Sequence, residues 1–221
     1  RKANQIMRDT LDLVGREIKA GMTTAQVDKL VYDYITSCGA KPSFLGYEGY
    51  PASACVSINE EVVHGIPSPR RFIGEGDIVS VDVGSIYKGY NGDAARTFMI
   101  GQVDEEKKKL VEVTRQSFFE GVKVLKDGCR LGDLGWAIQS YVESNGFSVV
   151  RALVGHGIGT DMHEDPSVPN YGTPGRGMRL KAGMTIAIEP MVNAGTFDVK
   201  VLSDDWTVVT RDGRPSAHYE N

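Results

Sequence analysis

The chain has 221 residues, with 29 acidic against 25 basic side chains, a formal charge of −4 and a sequence pI of about 5.6. That balance argues against a nucleic-acid binder, which carries a basic excess, and no apolar run reaches the length of a membrane span. Hydrophobic residues at 41% and charged residues at 24% suit a globular protein, long enough for one large domain or two closely packed halves.

The opening RKANQIMRDT is polar and has no signal core. It does not start with methionine, so residues before Arg1 are expected. An amphipathic stretch covers Arg8 to Ile18. The next segment, GMTTAQVDKLVYDYITSCG (Gly21 to Gly39), places Val27, Leu30, Val31, Tyr34 and Ile35 on one helix face. Thr24 is its predicted N-cap and Gly39 its C-cap. His64, in INEEVVHGIP, follows a short apolar run. Structural, ligand and acid–base roles are all open to it. GDIVSVD (Gly76 to Asp82) alternates like a strand and ends on a carboxylate. After the predicted turn YKGY, Asp93 lies in a second extended run, YNGDAARTF.

A second amphipathic stretch covers Arg115 to Leu125, and GCRLGDLGWAIQSYVESNG (Gly128 to Gly146) reads as a helix with Asp133 near its start. GHGIGTDMHEDP (Gly155 to Pro166) carries His156 and His163, seven residues apart. This spacing misses the HExxH zinc helix, and the glycines argue against any helix. GMTIAIE ends on Glu189, and Pro190 biases it toward extended backbone. The predicted strand WTVVT, the turn Asp212-Gly213 and RPSAHYE then read as paired strands bringing in His218 and Glu220. His218, two residues before Glu220, would share its strand face and is read as structural or as support behind Glu220.

These elements repeat. Gly128 follows Gly21 by 107 residues, and GMTIAIE follows GDIVSVD by the same 107. The repeat predicts an α+β fold of two pseudo-twofold halves, approximately 1–106 and 107–221, within a single domain. Sheets lie in the middle and helices outside.

An aspartate inside an apolar strand is costly unless paired, protonated or bound to a cation. One such residue is most simply a hydrogen-bonded structural Asp; two on one hairpin point toward a metal. Glu189 and Glu220 repeat the pattern in the second half, so four carboxylates would face one cleft. Two divalent cations would neutralise their repulsion. His156, flanked by glycines that permit a tight turn, is the best candidate for a histidine ligand. The oxygen-rich set suits manganese, iron or cobalt. Cys38, Cys55 and Cys129, widely spaced, suit a reducing cytosol rather than a thiolate site. No nucleophile elbow or P-loop is present. The residues themselves therefore reach as far as a dinuclear metallohydrolase acting on an amide or ester.

SINEEVVHGIP, VDVGSIYKGYNGDAARTF, VGHGIGTDMHEDP, GMTIAIEPM and WTVVTRDGRPSAHYE together resemble type I methionine aminopeptidase, in order and over nearly the whole chain. The resemblance implies the pita-bread (creatinase/aminopeptidase) fold with a central antiparallel sheet. It implies removal of the initiator methionine from nascent proteins whose second residue is small. Asp82, Asp93, His156, Glu189 and Glu220 would hold two divalent ions (cobalt, manganese or iron, with zinc and nickel as alternatives). Asp93 and Glu220 would bridge them. His64 would lie near the substrate's amino end. His163 would contact the peptide and stabilise the tetrahedral intermediate without ligating metal. Glu189 would also shuttle the proton of the attacking water. The methionine pocket would comprise Tyr47, Tyr50, Cys55, Met162 and Trp206, with Phe44 at its rim.

Two positions depart from the family: many members carry cysteine where Phe44 stands and an aromatic where Met162 stands. Members also continue a few residues past Glu220, so further residues are expected there. The resemblance further implies a cytoplasmic monomer acting near the ribosome exit region, with no nucleic-acid or membrane partner. The rival readings are a proline-specific peptidase of the prolidase or aminopeptidase P kind and a non-catalytic binding protein on the same scaffold. Four clustered carboxylates have no purpose in the latter.

Overall fold

A computed structural model describes residues 1–221. Helix α1 (Lys2–Glu17) buries Ala3, Ile6, Met7, Leu11 and Val14, one stripe at three- and four-residue spacing. Helix α2 (Thr24–Ser37) starts one residue earlier than expected. Thr23 is its N-cap and Gln26 returns the bond to the Thr23 backbone, a reciprocal box that leaves Thr24 buried against Ser68. Helix α3 (Glu105–Lys123) is capped by Asp104. Helix α4 (Leu131–Ser144) begins after Arg130, and Asp133 sits inside its first turn, accepting from the Arg130 N–H. Helices α2 and α4 span residues 24–37 and 131–144 and so keep the offset of 107.

The strands of the first half are β1 (Lys41–Pro42), β2 (Ala54–Ile58), β3 (Glu61–Val63), β4 (Ile78–Tyr87) and β5 (Tyr90–Met99). Strand β4 is the spine: it pairs antiparallel with β1, β2 and β5. The second half contributes β6 (Ser148–Val149), β7 (Gly155–Gly157), β8 (Glu164–Val168), β9 (Ile186–Ala187) and β10 (Met191–Asn193). It continues with β11 (Val199–Val201), β12 (Val208–Thr210) and β13 (Ser216–His218). Strand β7 lies between β8 and β9, and β10 between β13 and β6. All pairs are antiparallel, divided among four short sheets.

One expected pairing is absent. The Asp212-Gly213 turn does not fold β12 onto β13. Instead β12 pairs with β11 and with β3 of the first half, while β13 pairs with β10. The two halves are therefore stitched by a strand of one inserted beside a strand of the other. Helices α1 and α2 pack on the β2–β4–β5 face through Ile6, Leu11, Val27, Val31, Val79 and Val81. Helices α3 and α4 cover the second half through Leu110, Leu134, Ile138 and Val142. Each such buried aliphatic side chain stabilises the fold by about 1.5–3 kcal/mol. The helices thus hold the sheets rigid from outside and leave their inner faces to the site.

Candidate metal centre

In the β4–β5 ladder Asp82 stands opposite Ala95 and Asp93 opposite Gly84, so the two carboxylates lie on one face, diagonally related. On the other side of β4, Cys55 pairs with Asp82. Gly84 is a packing requirement: a Cβ there would lie 2.3 Å from Ser43 Oγ and 3.0 Å from the Met162 methyl carbon.

His156 is the middle residue of β7 and faces Ala187 of β9. The flanking glycines serve a different purpose from the tight turn expected of them. A Cβ at Gly155 would approach Ala187 O to 2.3 Å, and one at Gly157 would approach Asp165 O to 2.3 Å. They allow backbone strands to close on both sides of the histidine. Two residues beyond Ala187, Glu189 follows the end of β9, and Asn170 Nδ2 donates to its carbonyl at 3.0 Å. Glu220 follows β13. Its N–H donates to Ala95 O at 3.0 Å, and its own carbonyl accepts from Arg96 Nη1 at 2.6 Å. The Arg96 guanidinium lies 4.0 Å over the Tyr219 ring.

These elements bring Asp82, Asp93, His156, Glu189 and Glu220 to one place. Ligand atoms of Asp93, His156 and Glu220 lie within 4.8 Å of one another, as do those of Asp82, His218 and Glu220. His156 Nε2 is 3.8 Å from Asp93 Oδ2 and 3.7 Å from Glu189 Oε1. Burial pushes all four carboxyl groups up, with mutual repulsion adding for Asp82, Glu189 and Glu220; Asp93 reaches about 7. Burial holds His156 down. Asp82 Oδ1, Asp93 Oδ1 and Glu220 Oε1 are buried without a hydrogen-bond partner. Buried orphan oxygens are rare, and a set of them around one imidazole fits divalent cations with oxygen-rich coordination.

His218 is only 2% exposed, and neither ring nitrogen has a hydrogen-bond partner. Its Nε2 is 3.8 Å from Glu220 Oε2, so it stands beside the carboxylates themselves. Burial, then His64 and Arg96, drive it down to about 3, so it stays neutral.

The cluster floors a pocket of about 160 Å³ walled by Phe44, Tyr47, Tyr50, Cys55, Met162 and Trp206. The expected rim residue Phe44 is itself buried, packed with Tyr50, Cys55 and Met162. Tyr50 donates to Ala54 O and Gly65 O and meets the Trp206 ring edge-on at 5.0 Å. Trp206 in turn touches His64, which adopts left-handed backbone at φ 59°. His163 lies outside both ligand groupings, its ring 4.3 Å from that of His156. Its Nδ1 is bonded to the Tyr47 hydroxyl.

Sequence reasoning missed Glu48, which lines the pocket mouth, along with the supports Arg96 and Asn170. For Glu48 the signal was its place between Tyr47 and Tyr50 in the segment already assigned to the pocket. The partners of Arg96 and Asn170 are distant in sequence and gave no local signal.

Helices outside antiparallel sheets, around one acid-floored pocket fed by both repeats, define a pita-bread protein with a candidate metal centre. The chain belongs to metallopeptidase family M24, whose model matches residues 1–220. It is 58% identical over its full length to a methionine aminopeptidase of Clostridium acetobutylicum, covering 88% of that protein. It is 50% identical to methionine aminopeptidase 1 of Bacillus subtilis, covering 89% of it. Among solved structures it superposes on methionine aminopeptidase from Thermotoga maritima with a TM-score of 0.98 at 50% identity, over 99% of this chain and 88% of that one. A prolidase from Pyrococcus furiosus shares the fold at TM-score 0.77 and 23% identity; this chain covers 58% of it. The resemblance to type I methionine aminopeptidase thus holds across the whole chain, and the proline-specific reading is less supported. No helix is long and apolar enough to cross a membrane.

Proposed function

We propose that the chain is one catalytic unit that hydrolyses the first peptide bond of polypeptides beginning with methionine and followed by a small residue. The observation that carries this reading is the gathering of four carboxylates, two buried and two half-buried, three of them with an orphaned oxygen, and His156 at the floor of a pocket walled by aromatic rings and sulfur. Such walls suit a thioether side chain. Asp82, Asp93, His156, Glu189 and Glu220, drawn from both repeats, would hold the ions. Two divalent ions supply Lewis acidity that lowers the pKa of water and polarises a carbonyl oxygen.

The chain's own residues do the rest. Glu189, with its side chain 15% exposed at the pocket floor, is placed to take a proton from the attacking water and return it to the leaving amine. His163 donates to the carbonyl oxygen as it gains charge. His64, against Trp206, faces the substrate's amino end. The pocket walls exclude water and hold the methionine side chain.

The oxygen-rich donors favour cobalt, manganese or iron, with zinc and nickel also accommodated. Nascent chains leaving the ribosome in the cytoplasm are the natural substrates under this reading. The test is a peptide panel with added divalent metal: Met-Ala-Ser is cleaved, Met-Lys and X-Pro peptides are spared, and EDTA abolishes turnover. Preferential cleavage of X-Pro would overturn the proposal in favour of a proline-specific peptidase.

A further inference from the structure

The Tyr47 hydroxyl lies 2.7 Å from His163 Nδ1, joining residues 116 apart in sequence. The rings are tilted by 50° with centroids 5.3 Å apart. Neither side chain makes another hydrogen bond. A phenol carries one proton to donate, and a neutral imidazole carries one N–H and one bare nitrogen. If the phenol donates, this single bond satisfies the Tyr47 proton and the bare nitrogen of His163 together. If the imidazole donates, the phenol proton has no protein acceptor and must turn to solvent. Burial, reinforced by Glu48 and Asp161, pushes the Tyr47 pKa up, so the proton to be donated stays in place.

We propose that Tyr47 is a positioning residue: its O–H donates to His163 Nδ1 and fixes the ring with its single proton on Nε2. This rests on reading His163 as the group that bonds the substrate carbonyl oxygen. A donor in that role must carry its proton on the nitrogen that Tyr47 leaves free. The orienting partner of a catalytic imidazole sets which nitrogen works, and here a phenol held at the short turn Tyr47–Gly49 takes that part. Tyr47 is thus more than apolar wall for the methionine side chain. Its ring lines the pocket while its oxygen acts through His163.

Tyr47→Phe keeps the ring and removes the oxygen. In zinc-loaded protein labelled with 15N-histidine, wild-type His163 should show an unprotonated Nδ1 and a protonated Nε2. Tyr47→Phe should shift this pattern toward a mixture. With Met-Ala-Ser, the variant should lose about tenfold in kcat, part of the roughly 10²–10³ that one oxyanion donor supplies. KM and inhibition by free methionine should hold. In a His163→Ala background, Tyr47→Phe should cost nothing further, because the two residues act as one unit.

A protonated Nδ1 in the wild-type protein would sink the proposal whether or not the variant folds. So would a loss confined to KM and methionine affinity, or full additivity with His163→Ala. Failure of wild-type protein to cleave Met-Ala-Ser would instead count against the function proposed above and leave the tautomer result standing.

Discussion

Glu220 and Ala95 exchange both backbone hydrogen bonds, Glu220 N–H to Ala95 O at 3.0 Å and Ala95 N–H to Glu220 O at 3.3 Å. One belongs to the last extended segment of the second repeat and the other to β5 of the first. This pair fixes Glu220 beside the strand that carries Asp93. The same segment continues to Ile188, whose N–H donates to Asn221 O at 3.0 Å, and so sets Glu189 in the same frame. The carboxylates converge because backbone ladders, rather than side-chain contacts, place them.

His156 and His163, ring neighbours at 4.3 Å, should separate cleanly in mutagenesis. His156→Ala should weaken manganese or cobalt binding by at least the roughly 10–100-fold that loss of an outer metal partner costs. His163→Ala should bind metal as wild type does and lose turnover. Calorimetric titration beside peptide kinetics reads both. Loss of metal in His163→Ala would show that the division of roles is wrong.

The metal-free protein should have an unusual pH dependence. Asp93 is raised from 3.8 to about 7, so between those values the folded state holds a proton that the unfolded state has released. Stability therefore falls as pH rises through this window. His218 is lowered from 6.5 to about 3, so the unfolded state gains a proton that the folded state refuses, and stability falls as pH drops below 6.5. The two slopes oppose each other in mildly acidic solution. Above pH 6.5 the opposing slope of His218 is gone, and the fall set by Asp93 and the other raised carboxyls remains. The melting temperature of EDTA-treated protein should decline from pH 6.5 to 8, and a divalent ion should abolish the decline. A flat or rising profile without metal would contradict the assignment.

Gly157→Ala should be costly in two measurements at once. Its Cβ would meet Asp165 O at 2.3 Å, a backbone atom with little freedom to move. Overpacking of this kind costs about 1–3 kcal/mol, and strand β7 must shift to relieve it. Since His156 is the adjacent residue of that strand, metal affinity should fall with the melting temperature. A lower melting temperature with unchanged metal affinity would show that strand spacing does not position the histidine.

The pocket mouth should read charge. Glu48 lines it from a left-handed backbone position at φ 48°, and no lysine or arginine is among the lining residues. Peptides with lysine at the third position, Met-Ala-Lys, should be cleaved several-fold faster than Met-Ala-Glu. An exposed pair is worth about 0.2–1 kcal/mol, so Glu48→Gln should remove most of the gap. Added salt should narrow it in the wild-type protein. Equal rates on both peptides would rule out this effect.

Much of the architecture is local and therefore legible. Helical spacing marked α2 and α4, and their common offset revealed the repeat before any contact was known. Asp82 and Asp93 stood out as acids in apolar strands. What was not legible depends on choices between partners. A turn at Asp212-Gly213 suggested that the flanking strands pair, yet β12 satisfies its backbone against β3, far away in sequence. The glycines around His156 read as turn formers because sequence gives φ preferences, not the nearness of Ala187 O and Asp165 O. The Tyr47–His163 bond spans two segments whose only relation is tertiary. Thr23 and Thr24 are both good caps by type, and the reciprocal bond from Gln26 decides between them.

The seam at Ala95 and Glu220 bears on what an ion would do for the molecule besides chemistry. Under the proposed ligand set, Asp82 and Glu220 would be tied through the same pair of metal ions although most of the chain lies between them. Such an ion closes a loop as a covalent cross-link would, and binding energy of that kind adds directly to folding energy. The three cysteines are free thiols, so no disulfide reinforces the backbone seam between the repeats, and coordination would add a cross-link that opens with a chelator rather than a reductant.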